Sequence, residues 1–238
     1  MAFSFSQLQQ MVYVETNRPD AVAQTTNALV SATMVLHGLE FFNKDLMESL
    51  VVFDAAGYIQ QLDTSALPRF RSLNYIRKWD PAYAASQQNP TVLPPLVNSL
   101  GFGYTNPRLV LNTIKIITPD DLFDSYNTEK VDVAYQAGSV INIKSSTQVA
   151  QAAFGFYSWP AFDSANNYAG YNDWIANEFP FALVYYASSN CFAQFGDNDT
   201  ANRYCKKNVD ANGNTYWSGL AGDHINNLVR GNILANGW

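Results

Sequence analysis

DWIANEFPFALVYYASSNCFAQFGD, residues 173–197, decides what kind of chain this is. Between Glu178 and Asp197 the run carries no charged side chain. Its 18 charge-free residues sit at the lower limit for crossing a bilayer, and Pro180, Ser188, Ser189, Asn190 and Gln194 interrupt them. The stretch therefore reads as a buried core helix and not as a membrane span. Apolar Phe181, Leu183, Val184, Tyr185, Ala187, Cys191, Phe192 and Phe195 wrap most of the helical circumference and leave a narrow polar edge. Such a helix has to be covered on nearly every side.

The neighbouring segments supply the cover. Downstream, the chain turns at Gly196-Asp197, continues helically through TANRYCKK, loops through NVDANGNTYWSG (208–219), and ends in LAGDHINNLVRGNILANGW. At the other end, Ser4 or Ser6 caps a helix with Leu8, Met11 and Val12 at helical spacing, which Pro19 stops. Pro19-Asp20 opens a second helix, in which Val22, Leu29, Val30, Met34, Leu36, Leu39, Phe42 and Leu46 keep a helical period to about Leu50. There the period changes to two. VVFDAAGYIQQLD and RFRSLNYIRKWD read as a hairpin across TSALP, and the Pro- and Asn-rich stretch 81–107 as an excursion loop. VLNTIKIIT, VDVAYQA, SVINIKSS and QVAQAAFGFYSWP follow as strands, with Gly138-Ser139 as a hairpin turn and DLFDSYNTEK as a short helix. Helices at both ends enclosing strands predict an α+β protein: residues 1–50 helical, 51–160 a β-rich insertion, 161–238 helical.

Composition narrows the function classes. Among 238 residues only 14% are charged, against about 25% in ordinary globular chains, while 14% are aromatic. A polar but weakly charged surface suits a protein that buries much of itself against neighbours. The net charge of −6 offers no basic footprint for nucleic acid. Cys191 and Cys205, without a CxxC pair and with only His37 and His224 as further soft ligands, read as two buried free thiols. MAFSFSQLQQM has neither a basic start nor an apolar stretch, so it reads as no signal peptide, and the expected compartment is a reducing cytoplasm.

Candidate chemistry is sparse. Asp210, Asn212 and Asn214 begin like a calcium loop, but Thr215 occupies the glycine position and Ala221 that of the bidentate acid. GFGYTNP (101–107) lacks the third glycine of a phosphate cradle, and Asp120, Asp121 and Asp124 follow a Thr118 that caps a helix start. No Ser, Cys or His occupies a nucleophile elbow. We assign no catalytic, cofactor-binding or metal residue, and expect no enzyme. The alternative is a carbohydrate-binding or polysaccharide-degrading protein, with Trp159, Phe162, Tyr168 and Tyr171 stacking on sugars beside Asp163 and Asp173.

The order of several segments goes further. QLQQMVYVETNRPD, LHGLEFFNKDLMESLV and YIQQLDTSALPRFRSLNYIRKWDP are followed by SWP, YNDWIANEFPFALVYYASSNCFAQFGDNDTANRY and HINNLVRGNI. In that order and spacing the chain resembles, over nearly its whole length, the head-to-tail connector adaptors of short-tailed bacteriophages. The resemblance implies a helical core from both chain ends with an inserted antiparallel, sandwich-like β-rich domain. It implies a dodecameric ring in the virion, assembled in the host cytoplasm, that joins the portal to distal nozzle or fibre proteins. Double-stranded DNA would pass through its channel unrecognised during packaging and ejection. The core helix would place Ala182, Leu183, Tyr186, Ala187, Ser188 and Phe192 in the subunit core or against a ring neighbour. A C-terminal tail, extended in the free subunit, would dock into the portal through Leu228, Ile233, Leu234 and Trp238. The excursion 81–107 and the insertion 208–219 depart from the family pattern.

Overall fold

The structure, a computed structural model, describes residues 3–79, 113–123 and 128–236. The 81–107 excursion, with its GFGYTNP turn, and Asp124 lie outside them. The chain divides into two compact units, Met1–Asp45 with Trp159–Trp238, and Leu46–Ser158.

The first unit is helical. α1 (Phe5–Thr16) begins at Ser4, whose hydroxyl accepts from the Gln7 amide while the Gln7 side chain returns to the Ser4 amide, a reciprocal cap. It ends at Asn17 in the left-handed region, φ 52°. α2 (Val22–Gly38) follows, then α3 (Trp174–Glu178), α4 (Pro180–Gln194), α5 (Asn198–Tyr204) and α6 (Gly222–Asn236). Between α3 and α4 the chain leaves helical geometry at Phe179, because the residue before Pro180 is pushed out of the α region. α4 buries Ala182, Leu183, Val184, Ala187, Ser188, Ser189 and Cys191, and packs against α1, α2 and α5. Ser189 also donates to the Ala201 carbonyl at 2.8 Å, tying α4 to α5. Tyr186 and Phe192 are half-buried, and Phe181 is exposed. Cys191 and Cys205 are free and buried, and burial pushes the Cys205 thiol up to about 12.

Three readings of this unit are corrected. The second helix does not reach Leu50: it stops at Gly38, a short 3-10 turn covers Asn43–Asp45, and a strand begins at Leu46. Leu46–Val52 pairs residue by residue with Gln151–Tyr157, so ladder hydrogen bonds override the helical spacing, while Phe42 reaches the core from a loop. The 208–219 loop contains most of a hairpin, β6 (Lys206–Val209) with β7 (Thr215–Ser218), whose turn Asp210 organises by accepting from the Asn212 and Asn214 amides. The C-terminal segment is helical to Asn236 and not extended, and Leu228 is buried in the unit's own core.

The second unit overturns the expected antiparallel sandwich. Its strands β1 (Leu46–Asp63), β2 (Phe70–Trp79), β3 (Thr113–Ile116), β4 (Val133–Ala137) and β5 (Val140–Ser158) form one mixed sheet in the order β1-β5-β2-β3-β4. β3 and β4 run parallel, and β4 returns to pair with the first half of β5. β2, β3, β4 and β5 therefore close into a small barrel, and β1 is added outside on β5. The barrel closes because the 19-residue β5 bends: its first half holds β4, its second half β2. β1 and β2 are accordingly no hairpin, since β5 lies between them. The DLFDSYNTEK segment supplies only a 3-10 turn, Pro119–Leu122, and Phe123 then bridges to Glu129.

Two local devices fix the closure. Gly155 stands opposite Tyr75, and a Cβ there would come within 2.2 Å of the tyrosine ring. On the other side, Lys78, 9% exposed, donates to Asp132 Oδ1 at 2.7 Å, Ser145 Oγ at 3.1 Å and Thr147 Oγ1 at 3.2 Å. Asp132 accepts further from the Ser146 amide and hydroxyl. Partial burial opposes its ionisation, but these hydrogen bonds prevail and hold its carboxyl down at about 2. Ile76, Ile114, Ala134, Ile141, Ile143 and Phe154 fill the interior.

Candidate functional site

The densest gathering of ionisable groups lies inside the helical unit. His37 follows Leu29 and Thr33 on the same face of α2, each four residues on, so its ring is carried into the core and is 2% exposed. A buried imidazole needs partners for both nitrogens. Nδ1 lies 2.9 Å from Asp45 Oδ2, and Nε2 lies 2.8 Å from Asp173 Oδ1. Asp45 ends the 3-10 turn and also accepts from Trp174 Nε1 at 2.8 Å. Asp173 is the N-cap of α3, accepting from the Ile175 amide at 3.2 Å, and its other oxygen accepts from the Tyr171 hydroxyl at 3.1 Å. Thr33 Oγ1 stands 3.2 Å from that hydroxyl.

With a carboxylate at each ring nitrogen, the imidazolium form donates twice and leaves no lone pair. Burial disfavours that charge, but the hydrogen bonds to Asp173 and Asp45 outweigh it and raise the His37 pKa to about 9. Burial and the adjacent Asp173 charge push the Tyr171 phenol up, so it remains a donor. The cluster can hold three chain segments together: α2, the 3-10 turn and residues 171–175. It cannot act as a general base, because the ring has no free nitrogen, and the two carboxylates face different nitrogens and do not converge on one point. Among the described residues no three His, Cys, Asp or Glu side chains are grouped to hold a metal ion.

Beside Trp174 lies an apolar cavity of about 230 Å³, lined by Phe42, Phe179, Leu228 and Gly231. Lys44, which also lines it, pairs with Glu178 and stands 5.1 Å above the Trp174 ring.

The residues of the carbohydrate alternative are placed differently from what a sugar platform requires. Tyr171 is buried, Tyr168 stacks on Phe5 with centroids 4.2 Å apart, and Phe162 lies against Tyr171. Asp173 belongs to the His37 cluster, and Asp163 accepts from the amide and side chain of Asn166 in a local turn. Of the core-helix residues, Ala182, Leu183, Ala187 and Ser188 are buried within the unit. Ile233 and Leu234 fall in α6, and Trp238 lies outside the described residues. Sequence reasoning missed the His37–Asp45 pairing. The available signal was a histidine four residues after a buried threonine on an apolar helix face, which has to find acceptors.

No protein-family model matches the chain, and no curated protein matches it.

Proposed function

We propose that the chain is a non-catalytic structural subunit of a phage virion, an adaptor that joins the portal vertex to the tail as a homododecameric ring. In this role the ring extends the DNA channel, and distal tail proteins attach beneath it. The segment order from ETNRPD through RFRSLNYIRKWD to WIANEFPFALVYYAS supports the family assignment.

The observation that carries the structural role is a contrast. The buried charged clusters at His37 and Lys78 direct their polar atoms at one another, while large apolar side chains stand in solvent: Val14, Val52, Ile59 and Val209 are each at least 64% exposed. These groups, on α1, β1 and β6, offer apolar points of contact to neighbouring proteins. A net charge of −6 per subunit, repeated around a ring, repels phosphate and lets DNA pass without sticking.

The reading is tested by co-sedimentation of the purified chain with its cognate portal protein, in parallel with a polysaccharide-degradation assay. Stable co-sedimentation without turnover is expected. Turnover abolished by Asp163→Asn or Asp173→Asn, with no portal binding, would overturn it.

A further inference from the structure

Among the described residues β1 has one hydrogen-bonded edge. The barrel strands β2, β3, β4 and β5 each have neighbours on both sides, whereas β1 ends the sheet and, among the described residues, pairs only with β5. Among the described residues nothing pairs with its outer edge. Exposed edges in stable monomers are short, or are blocked by lysine, proline or inward charge. β1 is 18 residues long, contains no Lys, Arg or Pro, and between Ser49 and Leu62 carries only Asp54. Val52 is 64% exposed, Tyr58 56% and Ile59 65%. The register shift between Val52 and Ile59 bends the strand but leaves two regular arms, Leu46–Val52 and Ile59–Asp63.

A complementary edge exists in the helical unit. β7 packs against α6, but β6 pairs only with β7 and is otherwise an open strand among the described residues. β6 carries Lys206 and Lys207, both exposed, and Val209 is 64% exposed.

We propose that the free edge of β1 receives β6 of a second copy of this chain, so that copies join head to tail by strand addition. Charge selects this occupant over a second β1. Glu48 is paired with Arg77 of its own chain, and the exposed charges left on β1 are Asp54 and Asp63, both acidic, so a β1–β1 pair would bring together acids with no base, whereas β6 supplies two lysines. Backbone hydrogen bonds supply affinity in such additions, and alternate side chains such as Val52 and Ile59 supply fit. The two joined surfaces differ, so the contact is heterologous and repeats from copy to copy, closing into a ring where the rotation permits. The inference deepens the ring-subunit reading and rests on it for closure.

The test places a photo-cross-linker at the exposed position 59, as Ile59→p-benzoylphenylalanine, in an equal mixture of isotopically heavy and light chains. The mixture is irradiated alone and with cognate portal, and cross-links are mapped by mass spectrometry. Heavy–light cross-links into residues 206–209 are expected, with at least a tenfold loss in Asp54→Lys and recovery when Lys206→Glu and Lys207→Glu are added. Cross-links into β1 of the other copy, cross-links elsewhere, or none in either condition would overturn the proposal. Portal binding is measured in the same samples. Binding without the β1–β6 cross-link sinks only this inference, and the cross-link without binding sinks only the connector reading.

Discussion

Raising the pH from 6 to 10 should release the pin that His37 provides in the helical unit. The imidazolium is held between Asp45 and Asp173, with Tyr171 hydrogen-bonded to the latter. Its pKa is about 9 in the fold against an ordinary 6.5. The folded state therefore binds the proton more tightly than the unfolded chain, and the stabilisation is complete below pH 6.5 and lost as pH rises through 9. That difference corresponds to about 3 kcal/mol, and to a fall in Tm of about 10 °C for a chain of this size. Thermal melts at half-unit steps of pH, compared between wild type and His37→Gln, isolate this contribution from the other titrating groups. The variant leaves two buried carboxylates without their cation, so it should melt well below wild type at pH 6, by roughly 3–5 kcal/mol. The gap should narrow steadily between pH 6.5 and 9.5. A gap that is constant over that range, or one that widens, would refute the assignment of an imidazolium.

Gly155→Ala forces a methyl into the Tyr75 ring and should cost about 1–3 kcal/mol, read as an earlier denaturant midpoint. In a Tyr75→Ser background, where the ring is gone, adding Gly155→Ala should cost little further. Lys78→Met removes the cation from Asp132, which stays partly solvated and bonded to Ser146, and should destabilise the β unit by roughly 1 kcal/mol, with raised proteolysis within residues 113–158 as the readout. Leu183→Asp places an unpaired charge at a fully buried position of α4, and soluble protein with a cooperative melt would contradict the core assignment.

What the sequence disclosed follows from how local the determinants are. The Ser4 cap, the Pro19 stop, the Gly138-Ser139 turn and the burial of α4 are set within a few residues, and each is read from its own segment. The end of α2 is not. Leu39, Phe42 and Leu46 keep a helical period, and only the distant Gln151–Tyr157 strand, which pairs with Leu46–Val52, converts that stretch to sheet. The insertion of β5 between β1 and β2 is equally non-local, and a period of two cannot distinguish a hairpin from strands separated by a third. The parallel β3–β4 pair rests on two residue pairs, Lys115 with Val133 and Ile116 with Ala134, too few to leave a pattern. The His37 cluster joins positions 37, 45 and 173, so each member reads alone as something ordinary: a lone histidine, a loop acid, a helix cap. Leu228, read as a docking residue, is buried in its own unit, because its spacing is equally that of the core face of α6 and packing takes up that face.

Native mass measurement of the purified chain, with and without cognate portal protein, tests the connector role most directly. A complex carrying twelve copies of this chain per portal ring, formed without loss of portal subunits, is the predicted result. A chain that remains monomeric in both samples, at concentrations where the portal ring itself is intact, would contradict it.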